Sequence, residues 1–227
     1  MLKHNGGQFY EMRALHTLRI VFPDEFGNLI LSDKPDLVDD DRKMGVEVVH
    51  PANPKEMEFS AYFYKNFENK HIDQVPKKGL KKFRENGYDV CLNEQSKIIH
   101  SYKHSCQPFD IQIIFDAINH KVDKLNKMEY RYSSNISLYL EMSCCGFEFA
   151  NLKIAKQLLD YTNNLQRDKR LQYKEIFFDC LFPFFRCNIE KNEITEFDLS
   201  DLIDDIDVEY DKYLSQEVPS CQPTSHS

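Results

Sequence analysis

The sequence predicts an α/β fold, a mixed central sheet with an αβββαβ core flanked by helices, on three observations. Segments of helical and strand periodicity follow one another in the order helix, three strands, helix, strand, helix, strand. The segment MGVEVVH (44–50) is apolar on both sides of its alternation, as in a strand covered on both faces. In DIQIIFDAINHKVDKLNK (110–127), Ile111, Ile114, Phe115, Ile118, Val122 and Leu125 fall on one helical stripe.

Each element has its own signal. Gln8 to Phe22 reads as a helix with Ala14, Leu15, Leu18, Val21 and Phe22 on its apolar side, stopped by Pro23. Three short strands follow, 28–32, 35–38 and 44–50, the last two separated by the charged turn DDDRK. The next helix, 53–70, opens with Asn53 as cap, Pro54 at the first position and Glu56 three residues after the cap. Residues 71–109 read as an insertion: a short basic helix from Lys77 to Asn86, ended by Gly87, then two strands, YDVCL and KIIHSYK. Beyond the helix at 110–127 come a strand at 136–142, a helix from Phe149 to Gln166, and a strand at 175–185 with Pro183 near its end.

Composition bounds the class. In 227 residues, 41% are hydrophobic and 7 are Gly, which excludes collagen-like and wholly disordered chains. No apolar run reaches membrane-spanning length and the N-terminus lacks a signal-peptide pattern, so a soluble cytoplasmic protein without membrane contact is expected. Seven cysteines without repeated spacing are expected to be reduced thiols. The net charge of −8 is local: residues 196–211 hold eight acidic and no basic side chains. This divides the chain into a body, 1–195, and an acidic C-terminal segment with a disordered tail, 196–227, whose removal after Phe197 should leave the fold intact.

Two carboxylates carry the chemistry. Glu47 lies inside an apolar strand, where burying its charge costs several kcal/mol unless a metal or a cation neutralises it. Asp36 opens the preceding strand, and ten intervening residues let adjacent antiparallel strands present both groups to one point. A hard divalent cation takes such a pair of oxygens and completes its shell with water and substrate phosphate.

Pro35-Asp36, ten residues, then Glu47-Val48-Val49 resembles the PD-(D/E)XK nucleases of the restriction-endonuclease-like superfamily, over about residues 8–142. The resemblance implies Mg²⁺ or Mn²⁺ held by Asp36, Glu47 and the main-chain carbonyl of Val48, and a catalytic set of Glu11, Asp36, Glu47 and a lysine. Val49 stands where the family has that lysine. Some members place it on a neighbouring helix, and Lys121, at the edge of the 110–127 stripe, is the expected replacement. Lys124 lies further round that helix, and Lys43 lies in the turn. The implied activity is nucleic-acid phosphodiester hydrolysis, with DNA as the expected partner and defence against foreign DNA as the setting. A homo-oligomer or a regulatory partner protein is left open. The competing reading is a non-catalytic interaction protein on the same fold, working through its acidic segment.

Lys77, Lys78, Lys81, Lys82 and Arg84 form a basic cluster suited to nucleic-acid phosphates, or a solvated helix face. Cys91, His100, His104 and Cys106 match no usual zinc spacing, and Cys144-Cys145-Gly146 has no partner base at a meaningful spacing. Motifs of serine hydrolases, zinc proteases, P-loop NTPases and dinucleotide enzymes are missing from the sequence.

Overall fold

The computed structural model describes residues 6–52, 54–103, 110–127, 129–142, 149–202 and 204–206. The expected Asn53 cap, His104, Cys106, Cys144-Cys145-Gly146 and the chain after Ile206 lie outside these. The chain forms two compact units, the larger from Met1–Pro51 with Phe115–Ser227 and the smaller from Ala52–Ile114. The expected insertion, about 71–109, falls inside the smaller one.

The larger unit opens with helix α1 (Gly6–Val21) and a single turn, α2 (Pro23–Phe26). Strands β1 (Ile30–Leu31), β2 (Leu37–Asp39) and β3 (Met44–Val49) then form an antiparallel meander with Leu37 opposite Val46. The β2–β3 turn is closed by Asp39, whose carboxylate accepts the amide and the guanidinium of Arg42 at 3.0 Å each. That clamp fixes the register which sets Asp36 beside Glu47.

In the smaller unit, α3 (Pro54–Asn66) and α4 (Lys77–Glu85) are followed by a hairpin of β4 (Tyr88–Leu92) and β5 (Ile98–Lys103). Its core is largely aromatic, with Phe63, Phe67 and Phe83 buried beside Val75, Leu80 and Ile98. Helix α5 (Ile111–Lys127) follows, with Ile114, Ile118, Val122 and Leu125 fully buried, as the stripe requires.

Strand β6 (Ile136–Glu141) pairs parallel to β3 with Leu138 beside Glu47, and β7 (Glu175–Asp179) pairs parallel to β6 after α6 (Leu152–Gln166). The expected single strand at 175–185 is a hairpin instead: β7 turns at Cys180-Leu181-Phe182-Pro183 and returns as β8 (Phe184–Asn188). A further strand, β9 (Glu193–Phe197), closes a seven-stranded mixed sheet in the order β1-β2-β3-β6-β7-β8-β9. Its αβββαβ core is α1, β1–β3, α5 and β6.

Side-chain alternation divides the sheet. Val46 and Val48 join Met12, Leu15 and Leu18 of α1 with Tyr139, Phe177 and Phe184 in one core, so Glu47 between them points to the opposite face. Leu199 and Ile206 are buried in that same core, with Phe197 and Leu202 against it. The start of the acidic segment is therefore part of the fold, which corrects the expectation that the chain after Phe197 is dispensable: its apolar residues pack inward while Asp198, Asp201, Asp204 and Asp205 stay exposed.

Candidate active site

Gly45 seats the first carboxylate. It lies buried in β3 beneath the ring of Pro35, and a Cβ there would stand 2.3 Å from Pro35 Cγ. The ring rests in that gap and sets Asp36 one residue before the β2 ladder begins. Past this point Asp36 Oδ2 accepts the Val48 amide at 2.7 Å, so a side chain supplies the hydrogen bond where strand pairing has stopped.

Glu47 is fully buried. Its Oε1 accepts from Lys121 Nζ at 2.6 Å, Lys124 Nζ at 2.9 Å and the Tyr130 hydroxyl at 3.1 Å. Its Oε2 is buried without a hydrogen-bond partner among the described residues. Lys121 also stands 3.6 Å from Asp36 Oδ2 and so lies between the two acids. Tyr173 fixes this part of α5 by donating its hydroxyl proton to the Lys121 carbonyl at 3.2 Å.

Two of the acids hold their protons more tightly than free carboxyls do. Burial raises the pKa of Asp36, the Glu47 charge adds to this, and Lys121, the Val48 amide and Lys124 offset only part of the rise. Glu11 on α1 is also raised, by burial and then by the Asp36 charge, with Lys121 opposing and Glu47 and Asp33 adding. For Lys124, burial disfavours the ammonium, yet the Glu47 carboxylate overcomes it and the pKa is raised. Burial and the Glu47 charge push the Tyr130 phenol up to about 12. Three carboxylates thus share two ammonium groups in a partly dry site.

Asp36, Glu47 and Lys121 therefore converge, and Glu11 is within their electrostatic reach. Lys124 was expected further round the helix, but it reaches Glu47 as well: a lysine side chain spans the distance that its wheel position adds. Lys43 stays exposed in the turn. The side chain of Val48 is buried in the α1-side core, and the contact it makes with Asp36 is through its amide. The basic residues Lys77, Lys78, Lys81, Lys82 and Arg84 all belong to α4 in the smaller unit.

A hard divalent cation fits the donor set. Glu47 Oε2 is an orphaned buried oxygen, and Asp36 is a second carboxylate whose charge is incompletely compensated. No three His, Cys, Asp or Glu side chains among the described residues form a ready-made cage. Mg²⁺ needs none, since it is commonly held by one or two carboxylates with water and phosphate.

Sequence reasoning missed Tyr130, which sits in the loop after α5 with no periodicity to mark it. It also missed a second buried polar cluster on the α1 side. Glu141 and Asp179 are fully buried register neighbours at the ends of β6 and β7. Arg13 Nε donates to Asp179 at 3.2 Å and lies 3.9 Å from Glu141, the Tyr139 hydroxyl donates to Asp179 at 2.6 Å, and His50 Nδ1 meets Glu141 at 2.5 Å. The His50 ring stacks on Tyr10 with centroids 3.8 Å apart. Acids ending the apolar runs ISLYLE and EIFFD were the available signal, the same one that marked Glu47.

Comparison of the chain with protein-family models, with curated proteins and with solved structures finds no match.

Proposed function

We propose that the larger unit is a metal-dependent nuclease that hydrolyses nucleic-acid phosphodiester bonds, with Asp36, Glu47 and Lys121 as its working residues and Glu11 in support. One observation carries the reading: Asp36 just before β2, Glu47 in β3 and Lys121 of α5, 74 residues after Glu47, are brought together, with Lys121 on Glu47 Oε1 and beside Asp36 while Glu47 Oε2 is buried with no partner among the described residues. Asp36 and Glu47 would hold Mg²⁺ or Mn²⁺, which when bound supplies a water of lowered pKa and neutralises phosphate charge. Lys121 presents its ammonium between the two acids, where it orients a nucleophilic water or donates to a phosphate oxygen as charge develops there. Lys124 and Tyr130 hold Glu47 in one rotamer, so the carboxylate is positioned before substrate arrives. DNA is the proposed substrate and defence against foreign DNA the proposed setting, both by resemblance.

A second reading has its own support. Glu47 Oε1 is already matched by two ammonium groups and a phenol, an arrangement that suits a non-catalytic interaction protein in which the acids and lysines neutralise one another. The exposed Asp198, Asp201, Asp204 and Asp205 would then face a basic partner. Cleavage of plasmid, single-stranded DNA and RNA in Mg²⁺, Mn²⁺ and EDTA separates the two. The nuclease reading expects metal-dependent cleavage that is lost in Glu47→Gln and Asp36→Asn. A wild type inert on every substrate, with no divalent-ion binding by calorimetry, leaves the second reading standing.

A further inference from the structure

We propose that the smaller unit, Ala52–Ile114, is a single-strand nucleic-acid binding surface that holds phosphates on α4 and stacks a base on Tyr62; this rests on the nucleic-acid reading above and deepens it. The unit carries ten Lys and Arg against eight Asp and Glu, within a chain whose net charge is −8. Its positive charge is concentrated on α4, where burial of Leu80 and Phe83 turns the lysines outward. Lys81 pairs with Glu85 at 3.8 Å and Arg84 with Asp89 at 3.0 Å, whereas Lys77, Lys78 and Lys82 form no ion pair among the described residues. Three ammonium groups on one helix, none in an ion pair among the described residues, complement a run of phosphates.

Tyr62 distinguishes a single strand from a duplex. Gly79 lets the Tyr62 hydroxyl lie against α4, since a Cβ there would be 3.3 Å from it. The ring meets Phe67 edge-on, with centroids 5.4 Å apart and planes 88° apart, and the residue stays 39% exposed. Gly79 and Lys82 are three residues apart on α4, which puts them on neighbouring positions of the helix. On the other flank, Ile72, Val75 and Leu80 line an open groove together with Lys77, Lys81 and Arg84 and the acids Asp73 and Glu85. A strand crossing α4 meets phosphate-binding groups in the middle and surfaces for unpaired bases at both sides. Duplex bases are stacked inside and reach neither. A membrane surface fits less well, because the apolar residues of α4 are committed to the unit's own core and leave no face to enter a bilayer.

The test is fluorescence anisotropy with the full chain in EDTA, using labelled single-stranded DNA, single-stranded RNA and duplex DNA of equal length. The expected result is tighter binding of single strands than of duplex, with the DNA and RNA arms showing which backbone is preferred. Tyr62→Leu should weaken single-strand binding about tenfold, Tyr62→Phe should preserve it, and both keep a side chain against Phe67. Lys77, Lys78 and Lys82 changed together to Gln should flatten the salt dependence. Tyr64→Ala, which removes another exposed tyrosine of α3, serves as control and should change affinity less than twofold. Equal or tighter duplex binding, an unaffected Tyr62→Leu variant, or binding to anionic vesicles in place of nucleic acid overturns the proposal. Cleavage is read separately in Mg²⁺: strand binding without cleavage sinks the nuclease reading alone, and cleavage without Tyr62-dependent binding sinks this one alone.

Discussion

Lys124 donates to the same Glu47 oxygen as Lys121, and the two ammonium groups differ in what else they touch: Lys121 also faces Asp36, Lys124 lies over the Tyr130 ring. The roles should separate accordingly. Lys121→Ala is expected to lower cleavage by about 10²–10³-fold, the scale of losing one donor at developing charge, with divalent-ion binding intact. Lys124→Ala should cost about tenfold, as Glu47 loses part of its restraint. Single-turnover rates alongside calorimetric Mn²⁺ affinities check the ranking. Equal losses in both variants would show that the lysines act as one unit.

Asp36 makes stability depend on pH in a defined direction. Its pKa is raised in the folded protein, so its contribution is fully present below the ordinary carboxyl value of 3.8 and is lost as pH rises through the higher folded value. At pH 7 to 8 the ionised group weakens the fold. Asp36→Asn, which still accepts the Val48 amide, should melt higher than wild type at pH 7.5 and no higher near pH 3.5. Mg²⁺ should raise the melting temperature of wild type and leave the variant unmoved. Thermal scans across this range, with and without metal, decide it.

Gly45→Ala tests how Pro35 seats the site. The added methyl would meet the Pro35 ring, which is buried and cannot rotate away. Overpacking of this kind costs about 1–3 kcal/mol, against the small gain alanine normally brings over glycine in a strand. The expected outcome is lower stability together with weaker metal binding, because Asp36 moves with Pro35. A variant as stable as wild type, with unchanged Mn²⁺ affinity, would show that the ring is not what places the acid.

The docked start of the acidic segment gives a fourth prediction. Leu199→Ala and Ile206→Ala should each destabilise the larger unit by about 2–5 kcal/mol in urea titrations. Asp201→Asn and Asp204→Asn should change it little, since both side chains are exposed. Small losses in the leucine and isoleucine variants would mean that the segment is only loosely held.

How much of this was legible follows from which physical signal each residue left. Helices α1 and α5 and strand β3 declared themselves through periodicity, and Glu47 through its misplacement in an apolar run. The turn between β7 and β8 was hidden because β7 and the start of β8 are buried on both faces, so EIFFDCLFPFF reads as one apolar stretch. Strand β9 was masked by the acidic count around it: its apolar residues, Ile194 and Phe197, are three apart and so leave no period-2 alternation to mark a strand. Tyr130 and Arg13 left no trace, since each owes its place to long-range packing and not to its neighbours in sequence.

The division of the chain also orders events during synthesis. The smaller unit is continuous, so all of it has been made before Phe115 is added. Glu47, by contrast, is translated 74 residues before Lys121 and 83 before Tyr130. Until α5 emerges, its carboxylate has neither of the ammonium groups that the finished fold places on it, and β3 waits for β6 as its inner neighbour. A chain released before residue 121 would hold both acids without either lysine, so the meeting of Asp36, Glu47 and Lys121 waits on the synthesis of α5.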